Sequence, residues 1–166
     1  IYQNPMTALN PVLTIGEQVT EAIEANTNMR GKNAREYAIQ LLERADVSFA
    51  EDRLQKYPHQ LSGGLCQRIV FAIAISAKPK LIIADEPTTA LDVTVQSSVL
   101  QTLIKLSQEE DIAIILITHD IGVVSETCDY VYVLRNGKHI EQGETVQVLE
   151  KPMQEYTRSL MASVPL

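Results

Sequence analysis

The sequence predicts an α/β domain with a parallel sheet at its core and a helical subdomain beside it. Two continuous apolar runs, residues 81–84 in a strand predicted at 80–84 and residues 112–117, have the composition of buried strands in a sheet covered on both faces. A segment with apolar residues at helical spacing joins them, which makes the unit strand, crossover helix, strand. Helical periodicity over residues 17–60 predicts the subdomain.

The chain before the first strand alternates between helices and irregular segments. Residues 1–16 are predicted to form a loop, because Pro5 and Pro11 interrupt regular structure. Residues 17–25 form the first predicted helix, and the second begins with Asn33 and Glu36 as a capping box. Residues 46–60 are predicted to be a polar connector. The second helix carries an apolar stripe, formed by Ala38, Leu41, Leu42 and Ala45.

The longest helices are predicted on either side of the first strand. One begins near Ser62 and ends before Pro79, because a proline disfavours helical backbone in the residue before it. The other is capped by Asp92. Its buried face is predicted to consist of Val95, Val99, Leu103 and Leu106.

The last part of the chain predicts a β-hairpin and two short helices. Residues 130–134 and 139–143 alternate in the manner of strands, and Asn136-Gly137 between them favours a type I′ turn. Residues 145–150 are predicted to form a helix, and another is predicted to begin near Pro152.

The composition is that of an ordinary globular protein and excludes some functions. The 166 residues are 45% hydrophobic and 21% charged, and the net charge of −7 argues against an extended nucleic-acid-binding face. No apolar run approaches the length of a membrane span. Cys66 and Cys128 form no metal-binding or disulfide pattern, so both are expected to be reduced thiols.

Two short motifs carry the chemistry. Ser62-Gly63-Gly64 stands at a predicted helix start, where a hydroxyl and backbone N–H groups can cradle a phosphate. Asp85 and Glu86 follow the first strand, at a sheet edge where carboxylates can hold Mg²⁺ and an attacking water. Taken singly, the first motif is equally well explained as a helix cap, and the second as solvated carboxylates. Together, and in this order, they indicate nucleotide hydrolysis.

The segment Leu61 to Arg68, which reads LSGGLCQR, resembles the signature motif of ATP-binding cassette (ABC) transporter ATPases. Further segments resemble motifs of the same family in the expected order: Tyr2-Gln3-Asn4-Pro5 the Q-loop, residues 81–88 (LIIADEPT) Walker B with the catalytic Glu, Ala90-Leu91-Asp92 the D-loop, and Thr118-His119-Asp120 the switch-His loop. The resemblance covers nearly the whole chain. It implies a P-loop NTPase domain that binds ATP and Mg²⁺.

The resemblance assigns a role to each residue that matches a family motif. Glu86 polarises the attacking water, and His119 lies at the γ-phosphate. Asp85 and Gln3 hold Mg²⁺, largely through water, and Gln3 also senses the transmembrane partner. The signature residues bind ATP held by the opposite subunit of a dimer, and Asp92 combines a dimer contact with its role as a helix cap. The residues implied in cofactor binding are Gln3, Ser62, Gly63, Gly64, Gln67, Asp85 and Asp92.

Three stretches resemble the ATPases that power dipeptide, oligopeptide and nickel importers. They are residues 3–11 (QNPMTALNP), residues 90–96 (ALDVTVQ) and the tail from residue 151 to residue 165. Within the tail, Gln154 and Glu155 depart from the His-Pro usual before the tyrosine. The cargo stays open among peptide, metal chelate and glutathione, because other subunits select it.

The resemblance also implies partners and domains. The expected partners are a second ABC ATPase subunit, in a homodimer or heterodimer, the transmembrane permease subunits and, indirectly, an extracytoplasmic substrate-binding protein. Nucleic acid is not expected as a partner, and the expected location is the cytoplasmic face of the cell membrane, as a peripheral protein. The domain assignment is 1–150 for a partial ABC ATPase domain (17–60 helical subdomain, 61–68 signature, 81–120 Walker B to switch His) and 151–166 for an extension of the oligopeptide-transporter type.

Some features depart from the family pattern. Cys66 replaces the usual polar or basic residue of the signature, and we expect it to tune activity rather than abolish it. His59 and Gln60 are candidates for contact with a partner subunit. The sequence opens at Ile1 inside the Q-loop resemblance and contains no G-x-x-x-x-G-K-[ST] motif. We therefore expect a fragment that lacks Walker A and has no appreciable ATPase activity by itself.

Two other classes compete with the transporter interpretation. A soluble ABC ATPase of DNA repair, chromosome organisation or translation would carry coiled coils, zinc modules or a second cassette. Only about sixty residues separate Gln3 from Ser62, without heptads or cysteine clusters. A non-catalytic interaction module would need no P-loop, but the intact Glu86 and His119 favour an active ATPase.

Overall fold

The computed structural model describes residues 1–89 and 91–163. Ala90 of the D-loop resemblance lies outside the described residues, as do residues 164–166 of the tail resemblance. The chain divides into two compact units, Ile1–Ile117 and Thr118–Leu166. Among the described residues, no helix is both long enough and apolar enough to cross a membrane.

The first unit contains a pair of parallel strands joined by a long crossover helix. β1 and β2 pair in register, with Leu81 opposite Ala113 and Asp85 opposite Ile117. This confirms the α/β class and the strand–helix–strand unit. The elements of this unit are α1 (Pro5–Ala8), α2 (Ile15–Asn26), α3 (Gly31–Arg44), α4 (Ala50–Arg53), α5 (Gly63–Ser76), β1 (Leu81–Asp85), α6 (Val93–Glu109) and β2 (Ala113–Ile117).

Helix α5 is the central element of the hydrophobic core. It packs against α1, α2, α3 and α6, and its side chains Ile69, Phe71 and Ile75 are almost completely buried. Burying side chains of this size stabilises a fold by about 1.5–3 kcal/mol each. The core therefore fixes the position of α5, and with it the position of the Ser62-Gly63-Gly64 segment at its start.

The sheet is covered on one face only, so the expectation of strands buried on both faces is wrong for the described residues. Ile82 and Ala84 of β1 belong to the core, whereas Leu81 and Ile83 are 46% and 51% exposed. Side chains alternate between the two faces of a strand, and the helical core of this unit takes up only one of them. On β2, Ile115 and Ile117 are exposed in the same way.

Several local predictions near the start of the chain are corrected by the structure. The predicted loop contains α1, because Asn4 caps it by accepting from the Met6 N–H and Pro5 suits the first helical position. The predicted capping box at Asn33 is wrong: α3 begins at Gly31, so Asn33 lies inside the helix. The connector at residues 46–60 contains α4 and a 3₁₀ turn at Pro58–Gln60.

Other predicted elements are confirmed with small shifts of their ends. Ser62 caps α5, and Asp92 caps α6 by accepting from the Val95 N–H at 3.0 Å. A capping box at the start of α2, formed by Thr14 and Glu17, extends that helix two residues further toward the N-terminus than predicted. The predicted start signals were therefore correct at Ser62 and Asp92, whereas the cap at Thr14 was not predicted.

The second unit contains a hairpin followed by two short helices. Asn136 and Gly137 have φ angles of 50° and 72°, the left-handed values that a type I′ turn requires, so the predicted turn is confirmed. The tail helix begins at Glu155, slightly later than predicted from Pro152. The elements are α7 (Ile121–Thr127), β3 (Tyr130–Arg135), β4 (Lys138–Glu144), α8 (Thr145–Glu150) and α9 (Glu155–Ala162).

A buried carboxylate anchors the tail to the hairpin. Glu141 of β4 is only 9% exposed and accepts hydrogen bonds from the N–H groups of Met153 and Gln154 at 2.7 and 3.1 Å. The Arg135 guanidinium lies 4.6 Å from the ring centroid of Tyr156, a cation–π contact. The first contact joins the hairpin to the segment before α9, and the second joins it to the first turn of α9.

Candidate functional site

Helix α5 begins next to an exposed residue, Ser62, and its first turn carries backbone donors. Ser62 is exposed, and its hydroxyl oxygen accepts from the Leu65 N–H at 3.4 Å. The first turn of any α-helix leaves N–H groups without partners inside the helix, and the helix dipole adds partial positive charge at this end. Gly63 and Gly64 occupy that first turn. The segment therefore has the geometry that binds an anion such as phosphate.

The two glycines also allow α5 to approach α6 closely. A Cβ atom on Gly64 would lie 2.6 Å from Val95 Cγ1, and one on Gly63 would lie 3.1 Å from Leu91 Cδ2. A real Cβ never comes as close as the first distance, so Gly64 is required by packing as well as by any ligand. The sequence alone does not indicate this requirement, because it depends on a contact between segments distant in the sequence.

This close approach brings two predicted site segments together. Ser62 caps the helix that contains Gly64, and Asp92 caps the helix that contains Val95. Gly64 and Val95 are in contact. The signature segment and the D-loop segment are consequently neighbours in the first unit, and Ser62 and Asp92 are both exposed there.

Asp85 and Glu86 lie at the carboxyl end of β1. Asp85 ends the strand, whereas Glu86 has a φ of 48°, a left-handed conformation that costs a non-glycine residue on the order of 1–3 kcal/mol. The Glu86 N–H donates to the Ile117 carbonyl at 2.8 Å. The Glu86 carboxylate accepts from the Thr89 hydroxyl. Asp85 thus occupies the last position of the strand, and Glu86 lies on the turn that follows it.

Thr89 is a site residue that the sequence analysis missed. Its hydroxyl bonds the Glu86 carboxylate, and its N–H donates to the Glu86 carbonyl at 3.3 Å. A hydroxyl residue three positions after a carboxylate was an available signal for this contact.

Gln3 follows a residue, Ile1, that lies along the edge of β1 opposite its partner strand β2. The Ile1 nitrogen donates to the Ile83 carbonyl at 2.8 Å, and the Ile1 carbonyl accepts from the Asp85 N–H at 3.0 Å. The chain therefore leaves Ile1 beside the end of β1 where Asp85 lies. Gln3 is exposed two residues later.

The residues at this edge suit Mg²⁺ held together with a nucleotide. The Asp85 carboxylate is exposed, and no described residue engages it in a hydrogen bond or ion pair. Oxygen ligands are those that Mg²⁺ prefers, and it usually takes one or two carboxylates with water and substrate phosphates completing its shell. Within residues 1–89 and 91–163, no group of three or more His, Cys, Asp or Glu forms a cage for a metal. The single exposed carboxylate of Asp85 fits a metal ion whose other ligands are water and phosphate oxygens.

His119 lies in the second unit, directly before α7, and is exposed. The loop around it is ordered by its neighbour, because the Asp120 N–H donates to the Thr118 hydroxyl at 3.1 Å and Asp120 caps α7. That His119 shares an edge with Glu86 stays a prediction from the sequence.

Cys66 and Gln67 face the core instead of the surface on which Ser62 lies. Both are fully buried, and neither polar atom of the Gln67 amide has a hydrogen-bond partner among the described residues. The Cys66 thiol donates to the Pro58 carbonyl at 3.5 Å, and burial raises its pKa. Cys66 is therefore positioned to act through packing. Direct contact of Gln67 with a nucleotide stays a prediction, against which its burial argues. Cys66 and Cys128 are both free, as expected.

His59 and Gln60, the candidates for a partner contact, are exposed on the 3₁₀ turn before α5. The His59 ring stacks on Tyr57, with 5.6 Å between the ring centroids. The Gln60 side chain accepts from the Tyr57 N–H at 2.9 Å. The turn is therefore ordered by its own side chains, and its contact with a partner stays a prediction.

Curated relatives match this chain along its whole length. The oligopeptide transport ATP-binding protein AppD of Bacillus subtilis (strain 168) is 50% identical over 166 residues, which are 100% of this chain and 51% of AppD. The glutathione import ATP-binding protein GsiA of Escherichia coli (strain K12) is 46% identical over 165 residues, which are 99% of this chain and 26% of GsiA. The chain thus spans about half the length of AppD and about a quarter of GsiA.

Solved structures of ATP-binding cassettes share the fold. The structure of cbiO1 from Clostridium perfringens, part of the ABC transporter complex cbiONQ, matches with a TM-score of 0.78 and 29% identity, covering 98% of this chain and 62% of that chain. The dimeric post-hydrolysis structure of the cassette MJ0796, bound to ADP and Pi, matches with a TM-score of 0.73 and 31% identity, covering 87% of this chain and 61% of that chain.

The family model described as ABC transporter matches residues 1–89. The match includes the Q-loop, signature and Walker B resemblances, and it spans more than half of the chain. The chain belongs to the ABC transporter family.

Proposed function

We propose that this chain is part of the ATP-binding and ATP-hydrolysing subunit of an ABC importer. The observation that carries the proposal is that one compact unit contains both an anion-binding helix start at Ser62 and, at a strand end, the exposed carboxylate of Asp85 beside the half-buried Glu86. The names of AppD and GsiA support peptides, including glutathione, as cargo. Nickel complexes are the alternative cargo from the motif resemblance.

Glu86 is the proposed general base. Glu86 follows the strand end in a left-handed backbone conformation, and the Thr89 hydroxyl donates to its carboxylate and orients it. A carboxylate held in this way can accept the proton of a water that attacks the γ-phosphate. His119 is proposed to contact the same phosphate group and keep it aligned with that water.

Asp85 and Gln3 are the proposed residues for Mg²⁺. When bound, the ion supplies positive charge that offsets the negative charge developing on the phosphate oxygens. Asp85 contributes an exposed carboxylate, and Gln3 contributes an amide oxygen from the chain that runs beside β1. We propose that Gln3 also transmits the state of this edge to a transmembrane partner.

Ser62, Gly63 and Gly64 are proposed to bind the γ-phosphate of ATP held by the opposite subunit of a dimer. The unpaired N–H groups of the first turn of α5 require no charged side chain to do so. Asp92 lies near this segment, because the helix that it caps contacts Gly64 through Val95. Asp92 is proposed to lie at the same interface between the two subunits. The intact protein would act with permease subunits at the cytoplasmic face of the membrane, and indirectly with an extracytoplasmic substrate-binding protein.

A mixed-dimer experiment on the intact protein that contains this chain tests the two-chain site. Glu86→Gln removes the base, and Ser62→Asp keeps a good helix cap while placing negative charge against the phosphate. Each variant alone is expected to lose Mg-ATP hydrolysis by on the order of 10²-fold. Ser62→Asn, which caps without a charge, is the matched control and should lose less.

Mixing the two inactive variants should restore hydrolysis. A dimer with one chain of each kind has one site in which both Glu86 and Ser62 are intact, because the site takes Glu86 from one chain and Ser62 from the other. Phosphate release by the mixture well above that of either parent is the expected result. A mixture that only averages its parents would contradict a site shared between two chains.

A further inference from the structure

Asp46 occupies a backbone position that favours glycine. It follows α3 with a φ of 55°, the left-handed conformation that commonly ends a helix. The Asp46 N–H donates to the Glu43 carbonyl and the Val47 N–H to the Leu42 carbonyl, both at 2.9 Å, the hydrogen bonds of a Schellman motif. The backbone alone gives no reason for a carboxylate here.

The side chain of Asp46 reaches across to α6. Its carboxylate accepts from the Thr102 hydroxyl at 2.7 Å and from the Lys105 ammonium at 3.4 Å. Its backbone carbonyl accepts from Arg68 of α5 at 3.0 Å, and the same guanidinium donates to the Ser98 hydroxyl of α6 at 2.7 Å. One residue thus joins the end of α3 to both α5 and α6.

The charge of Asp46 is matched to these partners. Burial raises the pKa of Asp46, but the Thr102 hydroxyl and the cationic groups of Lys105 and Arg68 outweigh it, so its pKa lies below the ordinary value. The carboxylate is 44% exposed, and ion pairs at such exposure contribute little to stability. Because the contacts of Asp46 link three helices, its role is better described as holding α3, α5 and α6 in a fixed arrangement than as stabilising the fold.

Asp111 provides an internal comparison. It follows α6 with the same φ of 55°, and the next N–H, of Ile112, donates to the Ser107 carbonyl at 2.8 Å. The Asp111 carboxylate is exposed and makes no hydrogen bond or ion pair to the described residues. The same residue type in the same conformation thus occurs with and without a cross-link between helices.

We propose that Asp46 is a positioning residue that sets α5 against α6, and thereby sets Ser62 against Asp92. The helices it joins are the two whose first turns meet at Gly64 and Val95. Asp46 acts at a distance from any nucleotide, through its backbone carbonyl to Arg68 on one helix and through its carboxylate to Thr102 and Lys105 on the other. Its effect on hydrolysis rests on the proposed function, whereas its effect on the two helices does not.

The test compares Asp46→Gly with Asp111→Gly in the intact protein that contains this chain. Glycine suits the left-handed position in both cases, so neither variant should unfold at a lower temperature than the wild type by more than a few degrees. Amide hydrogen exchange of α5 and α6 is the first readout, because it reports local opening without requiring activity. Steady-state kcat and KM for Mg-ATP are the second.

Asp46→Gly keeps the backbone carbonyl that accepts from Arg68 and removes the carboxylate that bonds Thr102 and Lys105. It is expected to speed exchange of the hydrogen-bonded amides of α5 and α6, those beyond their first turns, about tenfold. It should lower kcat about fivefold to tenfold with a smaller change in KM. Asp111→Gly should change neither readout. Asp46→Asn, which keeps an acceptor for Thr102 and tolerates the backbone, should recover part of both.

Equal exchange in Asp46→Gly and Asp111→Gly would overturn the proposal, whatever the rate of hydrolysis. Faster exchange with unchanged kcat in an active protein would also overturn it, because the arrangement of the helices would then not matter to the reaction. A wild-type protein that hydrolyses no ATP would refute the proposed function, while the exchange comparison would still decide whether Asp46 positions the helices.

Discussion

The backbone N–H of Glu86 donates to the carbonyl oxygen of Ile117 at 2.8 Å, which ties the residue after β1 to the last residue of β2. The bond holds Glu86 in a left-handed conformation that an unconstrained glutamate rarely adopts. Residues in such conformations persist where the surrounding structure fixes them, and they cluster at functional sites. The two paired strands therefore act together to place the proposed base.

Replacing Thr89 by valine tests whether its hydroxyl orients that base. Thr89→Val removes the donor to the Glu86 carboxylate and keeps a side chain of similar shape. We expect kcat for ATP hydrolysis by the intact protein to fall by up to about tenfold with little change in nucleotide affinity. Thr89→Ser keeps the hydroxyl and should stay near the wild type. Equal rates in the valine and serine variants would show that the hydroxyl plays no part.

Gly64→Ala should destabilise the protein by forcing α5 away from α6. The new Cβ would lie 2.6 Å from Val95 Cγ1, and overpacking of this kind costs about 1–3 kcal/mol. Thermal or denaturant unfolding of the intact protein measures the loss. Gly63→Ala, whose Cβ would meet only the flexible end of Leu91 at 3.1 Å, is the matched control and should cost less.

A second substitution identifies the cause of that loss. Val95→Ala removes the atom that the Gly64→Ala side chain would strike, so the double variant should be more stable than the sum of the single effects predicts. Strict additivity of the two changes would rule out this contact as the reason for a glycine at residue 64.

The anchorage of the tail should weaken in acid. The Thr157 hydroxyl, with the N–H groups of Met153 and Gln154, holds the pKa of Glu141 below its ordinary value of about 4.3. A lowered folded-state pKa means that the stabilisation is fully present above the unfolded pKa and is lost as pH falls through the folded one. Amide exchange or proteolysis of residues 153–163, followed from pH 7 down to pH 3, should show this loss.

Two variants distinguish the contribution of the Glu141 carboxylate from that of the cation–π contact. Glu141→Gln should loosen the tail at neutral pH and remove the pH dependence, because nothing titrates at that position. Tyr156→Leu, which removes the cation–π contact with Arg135, should loosen the tail at every pH and leave the pH dependence in place. A tail in Glu141→Gln that still loosens below pH 5 as in the wild type would contradict this assignment.

The sequence was a good guide where local signals decide the structure. The caps at Ser62 and Asp92 and the Asn136-Gly137 turn each act through their own backbone neighbourhood, so α5, α6 and the hairpin were predictable. The start of α3 was not, because Asn33 offered a capping signal and the structure begins that helix at Gly31 without a side-chain cap.

Features that depend on tertiary contacts were not predictable from the sequence. The exposure of one sheet face follows from where the helical core lies, and the apolar run at residues 81–84 looks the same whether one face or two are covered. The packing role of Gly64 and the cross-link made by Asp46 both depend on α6, which lies far along the chain. Gln67 was predicted to bind the nucleotide because it belongs to the signature motif, and its burial depends on packing that the motif does not indicate.

The most direct test of the account is single-turnover hydrolysis of Mg-ATP by the intact protein that contains this chain, with and without Glu86→Gln. The variant keeps the shape of the side chain and the groups that bind nucleotide, and loses only the ability to accept a proton. Phosphate release should therefore fall by on the order of 10²–10⁴-fold, while ATP stays bound in a dimer. Near-normal phosphate release by Glu86→Gln would contradict the assignment of Glu86 as the base.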